Sequence, residues 1–203
     1  MVSIRMKRLF SVLLLITLLS CQRGLGEGEI SLVFKPIEGE NVSLFLSGPK
    51  DSIRIVVEVS GVIDSPHSEM EKQMKAFLES KGMRFSDGGC NLLSVEYMKE
   101  ALTGLEVTAS TSLFGQAEGS DLSGFFALTK LNPDTFLFSW ERKLLGLFPE
   151  ERMSLNTFLT GHFLALPHFA LTADGQDSNL LDETIFTVRI HLGDDKVLVG
   201  TTK

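Results

Sequence analysis

Apolar and polar residues alternate along much of this chain with the period of two that a half-buried strand requires. Ile30, Leu32 and Phe34 alternate with Ser31, Val33 and Lys35, which predicts a strand over 30–35. Glu38-Gly39-Glu40-Asn41 predicts a turn. Val42, Leu44 and Leu46 then alternate with Ser43, Phe45 and Ser47, a second strand that Ser47-Gly48-Pro49-Lys50-Asp51 breaks. Ile53, Ile55, Val57 and Val59 form the inward set of a third. The three read as an antiparallel meander.

The period then changes. Met70, Met74, Phe77 and Leu78 fall on one stripe of a helix. Ser65 reads as its N-cap, Pro66 as its first residue, and Lys81-Gly82 as its end. Ser86-Asp87-Gly88-Gly89 is a turn, and a second, shorter helix is expected from Val95 to Leu102, stopping at Gly104. Strand periodicity returns with Leu105, Val107, Ala109, Thr111 and Leu113, ahead of an exposed loop from Gly115 to Asp121. Phe125–Leu131 and Thr135–Trp140 flank Asn132-Pro133-Asp134, a hairpin signature. The second of these is apolar on both faces, so it should be covered on both. Leu144–Phe148 is apolar but irregular, and Pro149 opens a helix to about Leu159 with Glu150 and Glu151 in its first turn. Phe163–Leu171 is strand-like, with Pro167 confining it to an edge or a bulge. A polar loop, Ala173–Glu183, precedes a closing hairpin, Ile185–Leu192 and Lys196–Gly200, around Gly193-Asp194-Asp195. The predicted fold class is α+β: one domain over 30–203, a mainly antiparallel β-sheet with two or three short helices.

The N-terminal end follows neither period. Arg5, Lys7 and Arg8 precede an apolar run, Leu9–Leu19, too short for the ~20 residues that cross a bilayer. It ends in Leu18-Leu19-Ser20-Cys21. This resembles the lipobox of bacterial lipoproteins: leucine, a small or apolar residue, a small residue, then cysteine. The resemblance implies diacylglycerol transfer to the Cys21 thiol, cleavage before Cys21 and acylation of the new amino terminus. Residues 1–20 would be the signal peptide, and the mature chain's first partner a membrane, held firmly by two or three acyl chains. Leu19 is bulkier than usual for its place, and Met6-Lys7-Arg8 also opens a complete signal. Gln22 stands where the family's inner-membrane sorting rule has Asp, which leans toward the outer membrane and leaves inner or outer open. Gln22–Glu29, with three glycines, is a tether of at most about 28 Å, about 16 Å as a flexible coil. A lipobox, a meander, a helix, a β-rich second half and a terminal hairpin are together similar in layout to the LppM-type envelope lipoproteins. That likeness carries over no functional residue.

Composition narrows the function classes. The first twenty residues hold three of the nineteen basic residues and none of the twenty-six acids, so the remaining 183 carry a net charge of −10. Such a surface repels nucleic acid, and the basic residues do not cluster. With Cys21 acylated, Cys90 is the one remaining thiol and no intrachain disulfide forms. His162 and His168, six apart, would stand ~20 Å apart on an extended strand, too far for one metal, and Cys90 and His191 are distant in sequence. Asp174, Asp177, Asp182 and Glu183 lack calcium-loop spacing and read as a solvated acidic loop. No Gly-x-Ser-x-Gly elbow and no phosphate-cradling glycine loop occurs. No cofactor, metal or catalytic residue is expected.

The remaining candidate is apolar. Leu144, Leu145, Leu147 and Phe148 bracket the Pro149 segment together with Phe163 and Leu166. These six are the expected ligand-binding residues, as the mouth of an apolar cavity or a patch facing the membrane, with a plain contribution to the core as the alternative. The expectation is a non-enzymatic, lipid-anchored protein of the bacterial envelope that binds an apolar ligand or a protein partner. Its rivals are an assembly partner that docks through a sheet edge near Pro167, and a hydrolase of unrecognised type.

Overall fold

Alternation built from β-branched and aromatic residues makes this chain mainly β. The computed structural model describes residues 30–47, 52–64, 68–85, 91–132, 135–148, 152–174, 183–193 and 195–202. The lipobox, the tether, the Ser65-Pro66 helix start, the turn at 86–89, Cys90, Pro149 with its two glutamates, Asp177 and Asp182 lie outside them. The chain divides into two compact units, Met1–Val33 with Lys75–Leu93 and Phe34–Met74 with Ser94–Lys203.

Most strand residues fall in the larger unit, while 30–33 of the first strand and 91–93 of the third belong to the smaller. Strands β1 (Ile30–Leu46), β2 (Ser52–Ile63), β3 (Asn91–Met98), β5 (Ala127–Lys130), β8 (Met153–Ser154) and β9 (His168–Asp174) form a six-stranded sheet in the order β3-β1-β2-β9-β5-β8. A three-stranded sheet orders β11 (Lys196–Thr201), β10 (Phe186–Leu192) and β4 (Leu102–Ala109), and β6 (Phe136–Phe138) pairs with β7 (Leu144–Leu147). The pairings whose register is described are antiparallel. Among the described residues there are two α-helices, α1 (Ser68–Ser80) and α2 (Leu155–Thr160), and one 3-10 turn, Ser123–Phe125.

The core follows from the alternation. Ile53, Ile55, Val57 and Val59 of β2 are fully buried, as their spacing predicts. They share one cluster with Leu105, Val107 and Ala109 of β4 and with Phe186, Val188, Ile190 and Leu192 of β10. Removing each such large side chain from water contributes ~1.5–3 kcal/mol. Gly200 of β11 lies where a Cβ would come within 2.8 Å of Val42 and 2.9 Å of Leu44, so the two sheets touch there through a missing side chain. The β10–β11 hairpin and the exposed loop 115–119 are also where the sequence puts them.

Helix α1 buries Met70, Met74 and Leu78, the predicted stripe, and leaves Phe77 partly covered. In the smaller unit its end is closed as expected: Gly82 takes φ 85, and the N–H groups of Lys81 and Met83 donate to the Leu78 carbonyl at 3.0 and 3.1 Å. The Lys81 ammonium lies 5.5 Å from the centre of the Phe77 ring.

Six expectations are corrected. The turn at Glu38–Asn41 does not form, and β1 runs straight through it as one strand. Gly39 faces Gly61 and Asn41 faces Ser60, so Glu40 is the extra residue of a bulge. The helix expected over Val95–Leu102 is instead the end of β3 and the start of β4. Val95 and Tyr97 are buried while Ser94 and Glu96 are less covered, a period of two that outweighs helical propensity. Phe125–Leu131 and Thr135–Trp140 do not pair with each other. β5 joins β9 and β8, and β6 joins β7, although Phe136, Leu137 and Phe138 are all buried as expected. The irregular stretch Leu144–Phe148 is largely strand β7. Among the described residues, the helix assigned from Pro149 to about Leu159 is α2 from Leu155, preceded by β8 at 153–154, and the Ser154 hydroxyl accepts the Thr157 N–H at 3.1 Å. Finally, Pro167 does not mark an edge. It precedes β9, which lies inside the sheet between β2 and β5, so Pro167's missing N–H falls where no ladder bond is needed. The Pro167 carbonyl accepts from Val59 N–H at 2.7 Å.

Candidate functional site

Three strands of the larger unit bring one acid and two bases together. On β3, the alternation that buries Val95 and Tyr97 gives Ser94 and Glu96 the opposite direction. Tyr97 packs edge-on against Phe34 of β1, ring centres 6.2 Å apart, and lies 6.0 Å from Phe138. With Phe34 inward, its neighbour Lys35 points to the Glu96 side. His168 opens β9 immediately after Pro167. Glu96 accepts from Lys35 Nζ at 3.2 Å on Oε1 and stands 2.9 Å from His168 Nε2 through Oε2.

Glu96 and His168 border a cleft of about 240 Å³ lined by Ser94, Val95, Glu96, Asn132, Thr135, Phe136, Leu166, Pro167 and His168. Phe136, Val95, Leu166 and Pro167 make an apolar wall. Glu96, His168, Ser94, Thr135 and Asn132 make a polar one, and the Thr135 hydroxyl donates to the Asn132 carbonyl at 2.7 Å. The volume falls below the ~300–1,000 Å³ of sites for drug-sized ligands. An acyl chain does not fit this outline as well as a small molecule with one apolar and one polar side.

Burial by itself would raise the Glu96 carboxyl. Hydrogen bonds from Lys35 and His168, and their charges, outweigh it and hold the group below its ordinary value of 4.5. A depressed carboxylate adds stability at pH above that ordinary value, and the stability is lost as pH falls through the folded-state value. Glu96→Gln is therefore expected to cost about 1 kcal/mol at neutral pH, a modest figure because the pair is part-exposed. It should also flatten the fall in unfolding midpoint below pH 4.5. An acid limb identical to the wild type's would show that other carboxylates govern it.

The six apolar residues expected to bind ligand do not share one pocket. Phe148 and Leu166 belong to the main core, and Phe163 is packed against it. Leu144 is half-buried and its N–H donates to Gln73 Oε1 at 2.9 Å. Leu145 and Leu147 face outward. Of the six, Leu166 alone lines the cleft.

The described histidines go separate ways. His162 lies against Trp140, His168 against Glu96, and His191 Nε2 stands 3.4 Å from Glu106 Oε1. Among the described residues, no group of three or more His, Cys, Asp or Glu is placed to hold a metal ion. Asp174 instead pairs with Arg152 at 2.6 Å. Other ion pairs brace strands: Lys99 bridges Asp64 at 2.6 Å and Glu38 at 3.4 Å, and Lys196 meets Glu100 at 3.2 Å. Lys35, Ser94 and Glu96 carry no signal in isolation. The alternation Ser94/Glu96 against Val95/Tyr97 was the available clue to their common face.

Among the described residues, no helix is long and apolar enough to cross a membrane. Comparison of the chain with protein-family models, curated proteins and solved structures finds no match.

Proposed function

We propose that this chain is a lipid-anchored lipoprotein of the bacterial envelope, held to its membrane through acylated Cys21, and that its α+β domain is a non-enzymatic binding module. The observation that carries the binding role is the cleft whose polar wall includes Glu96 and His168, with Lys35 holding Glu96 from outside the lining. Both Glu96 oxygens are occupied, so the network is fixed before a ligand arrives. His168 lines the cleft together with Ser94, Thr135 and Asn132, which supply further polar groups to a ligand. The apolar wall then selects size and shape. Such a site suits a small polar molecule with an apolar flank, in place of the wholly apolar ligand that the leucine-rich segments suggest.

A thermal-shift panel of amino acids, monosaccharides and small carboxylic acids tests this. At least one compound is expected to raise the wild-type midpoint and to lose that effect in His168→Ala. A panel without any shift, or shifts equal in both proteins, would contradict the binding role of the cleft. Hydrolysis is the second reading, favoured by one observation, the Glu96–His168 pair beside Ser94. Turnover of a small ester that disappears in both Ser94→Ala and His168→Ala would establish it in place of simple binding.

A further inference from the structure

Three of the twelve large apolar side chains exposed among the described residues lie on the β6–β7 hairpin. Trp140, in its turn, is 58% exposed, and Leu145 and Leu147 of β7 are 55% and 46% exposed. The hairpin is not a loose tip. Phe136, Leu137, Phe138 and Phe148 root it in buried surroundings, and the Phe148 N–H donates to the Thr135 carbonyl at 2.8 Å. Trp140 N–H donates to the His162 carbonyl at 2.8 Å, and its ring lies 5.7 Å from the His162 ring. A register shift opposite Leu137 and Phe138, with Gly146 at φ 129, leaves Leu145 and Leu147 on the outer side. Glu141, Arg142 (φ 64) and Lys143 follow Trp140 in the same turn, and Lys143 Nζ pairs with Glu141 Oε2 at 2.6 Å, which leaves Arg142 as the turn's cation outside that pair.

We propose that this hairpin is the surface on which the domain rests against the lipid bilayer. Trp140 would sit at headgroup level, Leu145 and Leu147 at the acyl boundary, and Arg142 beside the phosphates. The inference rests on the lipid-anchor reading of Cys21. The chemistry fits a bilayer interface: indole has an apolar body and one N–H to keep wet, and long cationic side chains reach phosphate while their stems stay apolar. Tether length argues for contact. Gln22–Glu29 reaches about 16 Å as a coil, less than the ~30 Å diameter of a small domain, so the folded body stays at the membrane surface. The net charge of −10 after the signal disfavours broad contact with anionic lipid, which leaves a local apolar foothold as the way to rest there. Patch size argues against a protein partner, since three side chains on one hairpin fall short of the ~800 Å² per partner of a stable protein interface.

Trp140 is the chain's one tryptophan, so its emission reports this site alone. The lipidated full-length protein is placed in phosphatidylcholine vesicles with ordinary or brominated acyl chains, and flotation establishes that it is vesicle-bound. Trp140 emission is expected to shift to shorter wavelength than in the unanchored Cys21→Ala protein, and to lose most of its intensity on brominated lipid. The double variant Leu145→Ser, Leu147→Ser should still float through its anchor and unfold as the wild type does, but escape most of the quenching. Vesicle-bound protein with water-exposed, unquenched Trp140 overturns the inference and leaves a protein as the patch's occupant. Quenching unchanged in the double variant also overturns it. Wild type that fails to float, like Cys21→Ala, defeats the anchor reading instead, so the two failures are told apart.

Discussion

Phe148→Ala is expected to destabilise the protein by about 3–5 kcal/mol, while Leu147→Ser, one residue earlier, changes stability by no more than about 0.5 kcal/mol. The two residues sit in one apolar run but differ in surroundings. Phe148 is 2% exposed and belongs to the main core, with Leu166 and Phe158 in the same cluster. Its truncation leaves a cavity that rigid sheet residues fill poorly. Leu147 points to solvent and leaves no void. Denaturant unfolding of the two variants measures both numbers. Equal losses would mean that β7 is packed on both faces, and would remove the outward apolar surface from which membrane contact is inferred.

Gly61→Ala should be as severe, with about 3 kcal/mol lost or the fold abolished. A Cβ at Gly61 would overlap the Glu38 carbonyl across the β1–β2 pair, and that contact is backbone, which cannot swing away as a flexible side chain would. The bulge at Glu40 brings the strands this close, so the substitution forces either the bulge or the pairing to give. A control at the open Gly124, where a Cβ meets nothing, should change stability little. Urea unfolding of both variants is the check. A Gly61→Ala protein as stable as the wild type would show that the bulge relaxes at no cost.

Elements with strict alternation and local partners were legible in the sequence. Ile53 to Val59, the β10–β11 hairpin and the Met70, Met74, Leu78 stripe each declare their period, and the hairpin partner of each of the two strand sets lies next to it in the chain, although β2 also pairs with the distant β9. The misassigned segments chose partners by tertiary packing. Phe125–Leu131 and Thr135–Trp140 look like a hairpin because Asn132-Pro133-Asp134 separates them, yet β5 pairs with β9, some forty residues on. Residues 95–102 mix helix formers with Val95 and Tyr97, and burial beside Phe34 and Phe138 decided for strand. Glu40 hid as a turn residue because a bulge needs one polar, unpaired position, just as a turn does.

The candidate site was the least legible part. Glu96 is separated by 61 residues from Lys35 and by 72 from His168, so no window of sequence contains the network. The apolar segments that drew attention instead were split by the fold, Phe148 and Leu166 inward, Leu145 and Leu147 outward. Hydropathy marks that a segment is apolar. Only strand register decides which of its residues meet the core.

Metabolic labelling with a palmitate analogue tests the anchor, on which the proposed place of the protein depends. The expected result is label on the wild-type chain, recovered with membranes, and none on Cys21→Ala. Equal labelling of the two, or a wild-type chain that stays unlabelled and soluble, would contradict it.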